Sequence, residues 1–193
     1  MRTITYGGAI SLDGFLAAAD GAIDWLHFSK DVTEVMADSW KDVDTILMGR
    51  KTYTVTKAMA GGAPKKKSSA RPKTATPRMV TYVFSRTLNA VDEPGVEVVT
   101  SDAATFVRDL KARPGKKIIL MGGGELAQSL LAAGLVDEVG LNIHPILLGA
   151  GVPVFRDPGR RVALTLSECR QIDGGCILAT YKVVPGDSHK ARP

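Results

Sequence analysis

Met121-Gly122-Gly123-Gly124-Glu125-Leu126 is the stretch on which the reading of this chain turns. It follows an apolar, strand-like segment, Lys117 to Met121, and opens a helix-like one, Glu125 to Ala133. Glycine has no Cβ, so a strand-to-helix junction built from it lets a ligand come close to the backbone. The free amides and positive dipole end of the helix that follows favour a phosphate there. Glycines also make plain tight turns, so the phosphate reading draws on two further stretches. These are Gly49-Arg50-Lys51-Thr52-Tyr53 and Phe84-Ser85-Arg86-Thr87, each placed just past the end of an apolar run.

Working outward from the glycines, strand and helix patterns alternate through the first two thirds of the chain. Arg2 to Ser11 reads as a strand, and Leu12 to Trp25 as a loop punctuated by Asp13-Gly14 and Asp20-Gly21. Lys30 to Lys41 sets Val32, Val35, Met36 and Trp40 on one helical stripe. Thr45 to Met48 is a short buried strand and Thr52 to Met59 a short helix. Met79 to Ser85 and Val96 to Thr100 are strands. Ala103 to Ala112 is a helix with Ser101 or Asp102 as its cap and Pro114-Gly115 closing it. Gly134 suits the residue just beyond the glycine-led helix. Glu138 to Ile143 is a strand, and Leu147 to Phe155 a glycine-rich loop. Val162 to Ile172 and Cys176 to Val184 form a closing hairpin around Asp173-Gly174-Gly175. The pattern predicts an α/β fold with a mixed, mostly parallel sheet flanked by helices. Ligands in such folds bind at the carboxyl ends of the parallel strands.

The chain has 193 residues, 45% hydrophobic and 23% charged, which suits one soluble domain with a real core. The expected domain spans residues 1–185, with a flexible basic insertion at 61–77 and a frayed tail at 186–193. No apolar stretch is long enough to cross a bilayer, and no signal segment leads the first strand, so a cytoplasmic protein is expected. In that setting Cys169 and Cys176 read as two small buried hydrophobes rather than a disulfide. His27, His144 and His189 lack the spacing of a metal site, so no metal is expected. The net charge of +5 is unevenly spread. From Thr45 to Val91 there are ten Lys and Arg residues and no acid. Such a field attracts polyanions, phosphorylated cofactors among them. Nucleic acid is disfavoured, because the basic residues are not interleaved with aromatics and no recognition motif appears.

Several stretches together resemble the dihydrofolate-reductase-like superfamily, and within it the reductase domain of the bifunctional riboflavin-biosynthesis deaminase-reductase. They are Ser11 to Ala17, Asp20-Gly21 with Asp24-Trp25, Ile46 to Tyr53, Val83 to Leu88, Gly122 to Leu126, Asp137-Glu138, and Pro145 to Phe155. The resemblance covers most of the chain in the family's order. It implies a three-layer α/β/α fold closed by the antiparallel hairpin, and an NADPH-dependent reductase acting on a small heterocyclic substrate. That substrate would be of the 5-amino-6-(5-phosphoribosylamino)uracil type or a pterin- or folate-like compound. The alternative is a dimer that binds NADP(H) without catalysis.

Carried over residue by residue, the resemblance places Ala9, Gly49, Arg50, Lys51 and Thr52 against the cofactor. Ser85 and Arg86 then lie beside the 2′-phosphate, Thr87 next to them against the cofactor, and Gly122, Gly123, Gly124, Glu125 and Leu126 at the pyrophosphate. An Arg that can grip a phosphate bidentately is the physical reason to expect NADPH over NADH. Plainer roles exist for some of these: a surface ion pair for Arg50, a turn hydroxyl for Ser85, a first-turn charge for Glu125. Asp13 is the catalytic candidate, with capping of the Asp13-Gly14 turn as the competing role, and Asp31 is a looser carboxylate match. Trp25, Tyr53 and His144 are candidates for the substrate wall, with burial in the core as the alternative. A homodimer through the C-terminal strands is expected, since an uncovered sheet edge invites pairing.

Overall fold

The computed structural model describes residues 1–27, 34, 40–62, 79–88, 90–157 and 159–185. Its centre is β1 (Ile4–Ser11), where Ile4, Tyr6 and Ile10 alternate into the core while Thr5, Ala9 and Ser11 face the other side. On one flank β1 pairs in parallel with β6 (Lys117–Leu120), which continues to β3 (Val43–Gly49), β4 (Val80–Phe84) and β5 (Val96–Val99). On the other flank it pairs in parallel with β7 (Glu138–His144). Two antiparallel strands, β10 (Cys176–Val183) and β9 (Leu164–Ile172), complete an eight-stranded sheet, with β9 at its edge. The expected mixed, mostly parallel α/β sheet with a closing antiparallel hairpin is what forms.

Helices cover both faces. α1 (Arg50–Gly62) follows β3 directly, and Tyr53 packs there with Ile46, Met48 and Val83. α2 (Ala103–Ala112) and α3 (Gly124–Ala132) lie on the opposite face. Val107 and Leu110 of α2 join Leu126, Leu130 and Leu131 of α3 in the main core with Ile4, Leu47 and Leu120. Fully burying one such aliphatic side chain contributes roughly 1.5–3 kcal/mol. α2 starts where its cap predicts, because Asp102 accepts the Thr105 amide proton at 2.8 Å. α3 stops at Gly134, whose φ of +66° lets its amide reach Leu131 O at 3.1 Å while the Leu135 amide reaches Leu130 O at 2.9 Å. At the amino ends of the strands, buried Arg2 pairs with Asp44 and buried Lys111 with Asp137. These cations tie α2 and the strand ends together, far from the carboxyl edge.

Three expectations need correction. The segment from Leu12 to Trp25 is not all loop, since Phe15–Ala18 forms β2; likewise Gly151–Pro153, within the expected loop 147–155, forms β8. The two pair antiparallel as a separate small sheet, and their shortness hid a partnership that only long-range contact creates. Cys176 is buried as expected, but Cys169 is exposed, because it stands on the uncovered edge strand; both thiols are free. Gly61 and Gly62, expected to open the insertion at 61–77, instead end α1. Residues 63–77 of that insertion, most of the helix expected over 30–41, Asp31 and the tail at 186–193 lie outside the described residues.

Candidate active site

A cavity of about 590 Å³ opens at the carboxyl ends of β3, β4, β5 and β6. It brings together Gly49, Arg50 and Lys51, then Ser85, Arg86 and Thr87, then Gly123, Gly124, Glu125 and Leu126. Three stretches separated in sequence therefore share one wall. Each is delivered by a parallel strand ending at the same level, which is where such sheets present ligand sites. Ser85 also takes its plainer role, accepting the amide protons of Thr87 at 3.2 Å and Leu88 at 2.9 Å. The turn so formed carries Arg86 into the cavity wall.

The glycine turn is built for close approach. Gly122 has φ +106°, a conformation side chains rarely adopt, and its carbonyl accepts the Gly49 amide proton at 2.9 Å. That bond fastens the ends of β3 and β6 together. Gly123 caps α3 with φ −32° and ψ 150°. A Cβ there would meet nothing closer than Thr52 Oγ1 at 3.7 Å. The protein itself thus leaves room for a side chain at Gly123, and the open space lies at the mouth of a helix N-terminus. Thr52 packs behind the turn, and it, Gly122 and Ala9 stand outside the cavity wall.

Other wall residues escaped the sequence reading. Thr100, Ser101, Asp102 and Ala103 come from the junction of β5 and α2, and Ser129 from α3. Asp102 is held below the usual carboxylate range, chiefly by the Thr105 amide it caps, so a negative charge sits on this wall. Arg156 also lines the cavity. Its side chain crosses Gly124, where a Cβ would meet Arg156 Nε at 2.9 Å, and its guanidinium lies 3.6 Å from Glu125. The Ser101-Asp102 cap signal was legible as helix punctuation, yet only the fold sets it beside Arg86. Nothing local in the sequence marks Arg156.

The remaining candidates sit elsewhere. Asp13 is exposed, and its carboxylate accepts the amide protons of Leu148 at 3.1 Å and Gly149 at 2.7 Å. The Ser11 hydroxyl, ahead of these amides, holds it below the usual carboxylate range, so at neutral pH it is an anion anchoring the 147–149 loop. Tyr53 directs its hydroxyl to Glu93 at 2.8 Å, with Lys57 Nζ 3.3 Å away, and so braces α1 against the segment before β5. His144 is buried at the carboxyl end of β7, opposite Ser11 in register. The Trp25 ring meets it edge-on at 5.4 Å. Trp25 and His144 thus form one group at the ends of β1 and β7, while Tyr53 stands apart.

A family model for the RibD C-terminal domain matches residues 2–178. The chain belongs to this family. The uncharacterized protein YyaP of Bacillus subtilis is 33% identical over 183 residues, covering 93% of this chain and 94% of its own. A candidate riboflavin biosynthesis protein from Shewanella sp. PV-4 superposes with a TM-score of 0.77 at 26% identity, over 95% of this chain and 99% of the other. Dihydrofolate reductase from Enterococcus faecalis, solved with NADP(H), shares the fold at a TM-score of 0.62 and 15% identity, over 94% and 96% of the two chains. The architecture of this RibD C-terminal domain is therefore dihydrofolate-reductase-like.

The cavity's own chemistry suits a phosphorylated dinucleotide. Arg50, Lys51, Arg86 and Arg156 supply cations on its wall, and the N-terminus of α3 supplies oriented amides. The space over Gly123 is where a phosphate oxygen can approach the backbone without meeting a side chain.

Proposed function

We propose that this RibD C-terminal domain protein is an NADPH-dependent reductase acting on a small heterocyclic substrate. The substrate would be of the 5-amino-6-(5-phosphoribosylamino)uracil type or a pterin- or folate-like compound. One observation carries the reading: three strand ends converge Arg50, Arg86 and the Gly123-Gly124 pair on a single cavity. Family membership and the likeness to a reductase solved with NADP(H) support it.

NADPH, when bound, supplies the hydride. The protein's part is to hold and orient. Arg86, Ser85 and Thr87 would hold the 2′-phosphate, and Gly123, Gly124 and the first turn of α3 the pyrophosphate. The ends of β1 and β7, with Ala9, Trp25 and His144, would take the reacting rings. Asp13, as an anion bonded to Leu148 and Gly149, would fix the loop beside them. We place the protein in the cytoplasm, in keeping with its two free thiols. No described helix is long and apolar enough to cross a membrane. A homodimer through the C-terminal hairpin fits the exposure of Leu164 and Leu166 on edge strand β9 and of Ile177 beside it. The test is loss of NADPH absorbance with a panel of aminouracils, pterins and folates. Turnover with one of them supports the reading; tight NADPH binding with no turnover across the panel would favour the non-catalytic alternative.

A further inference from the structure

Among the described residues, four buried side-chain polar atoms have no hydrogen-bond partner: Trp25 Nε1, Asn142 Oδ1, His144 Nε2 and Arg160 Nε. The Arg160 guanidinium is otherwise engaged, donating to the Leu131 carbonyl at 2.9 Å. The other three gather on one side of the sheet. Asn142 and His144 stand two residues apart on β7 and so face the same way, beside their register partners Ala9 and Ser11. Trp25 lies against the His144 ring. Buried polar groups are nearly always paired, so three unpaired together call for a partner outside the chain.

Their hydrogen-bonding roles can be assigned. The His27 backbone N–H, which can only donate, points at His144 Nδ1 from 3.4 Å. Cys176 Sγ lies 3.5 Å from the same nitrogen. Nδ1 is therefore the acceptor, the thiol gives its proton to it, and the ring's own proton resides on Nε2. Burial first, and the neighbouring His27 second, hold the ring neutral at physiological pH. Burial likewise keeps the Cys176 thiol protonated. His144 Nε2 is thus a donor, Trp25 Nε1 is a donor only, and Asn142 presents its Oδ1 as an acceptor.

We propose that Trp25, Asn142 and His144 read the edge of the substrate ring, with the His27 amide and the Cys176 thiol together positioning His144 as an Nε2–H donor. Two donors and one acceptor select a flat heterocycle that presents ring carbonyl oxygens beside a ring N–H. Calling this ligand the substrate rests on the reductase reading above. Asn142 becomes a specificity-determining residue, next to Ala9 at the end of the cofactor's expected path.

The test has two arms on the intact protein. NMR of isotope-labelled histidine side chains should show His144 as the Nε2–H tautomer. Cys176→Ser and Cys176→Ala should both keep it, because the His27 amide still donates to Nδ1. In thermal-shift titrations NADPH should raise the melting temperature by itself. The probe 6-aminouracil should raise it too, and 6-amino-1,3-dimethyluracil, which lacks every ring N–H, should not. Asn142→Leu should weaken 6-aminouracil by about tenfold or more while retaining the NADPH shift. Its own melting temperature should change little, because an apolar group of similar size replaces a side chain whose buried Oδ1 is unpaired. An Nδ1–H tautomer, equal shifts from both rings or from neither, or full 6-aminouracil affinity in Asn142→Leu would overturn the proposal. Failure of NADPH alone, with the ring results as expected, would overturn the reductase reading and leave the ring-edge site standing.

Discussion

Replacing Gly123 by valine separates what the glycine turn does for the fold from what it does for a ligand. The backbone there, at φ −32° and ψ 150°, is outside the left-handed region, and a Cβ would find only ordinary contact with Thr52 Oγ1 at 3.7 Å. Valine is a poorer helix cap than glycine by roughly 1 kcal/mol. Against this, losing a glycine from the unfolded chain returns about 0.4–1 kcal/mol. The net change should stay within about 1 kcal/mol, a melting-temperature shift of roughly 2–4 °C for a chain of this size. Binding should respond far more. A branched side chain at the mouth of α3 occupies the phosphate position, and losing one charge-assisted contact costs about 1.5–3 kcal/mol. That corresponds to a fall in NADPH affinity of roughly 10- to 150-fold. Calorimetric titration beside thermal denaturation measures both quantities on one sample. A folded variant that binds NADPH as the parent does would refute the phosphate cradle, and a variant that fails to fold would refute the structural account of Gly123.

Three further outcomes follow from particular contacts. Asp13 has a depressed folded pKa, so the stability it lends is present above its unfolded value and is lost as pH falls through about 4 and lower. Amide exchange at Leu148 and Gly149 should accelerate in that acid range in the parent but not in Asp13→Asn, and a parent profile flat across it would contradict the anchor. Tyr6 has its pKa pushed up to about 12 by burial, and its hydroxyl donates to the Val154 carbonyl. Tyr6→Phe should cost roughly 1–3 kcal/mol in urea unfolding, since a buried carbonyl loses its partner; a change near zero would show that carbonyl to be satisfied otherwise. Of the two free thiols, exposed Cys169 should react with a thiol reagent at once and buried Cys176 only on unfolding. Rapid reaction of both would put the β9–β10 packing in doubt.

Much of this was legible in the sequence wherever the signal was local. α2 was bounded correctly because Asp102 at one end and Pro114-Gly115 at the other act within a turn of the helix. The three stretches that share the cavity wall could be named because each stands just past an apolar run, and strand ends in a parallel sheet share one edge. What stayed hidden depends on approach across the fold. β2 and β8 are four and three residues long and exist only through each other. Arg156 reaches the cavity by crossing Gly124, and Tyr53 turns from the site because Glu93, forty positions away in sequence, takes its hydroxyl. Asn142 has nothing unusual about it until its register partner, Ala9, is known.

The central claim is that the cavity holds a 2′-phosphorylated dinucleotide through Arg86. Titration of the parent and of Arg86→Ala with NADPH and with NADH tests it most directly. The parent should bind NADPH more tightly than NADH, and Arg86→Ala should lose roughly 1.5–3 kcal/mol for NADPH with NADH nearly unchanged. Equal affinity of the parent for both dinucleotides, or equal losses for both in the variant, would contradict it.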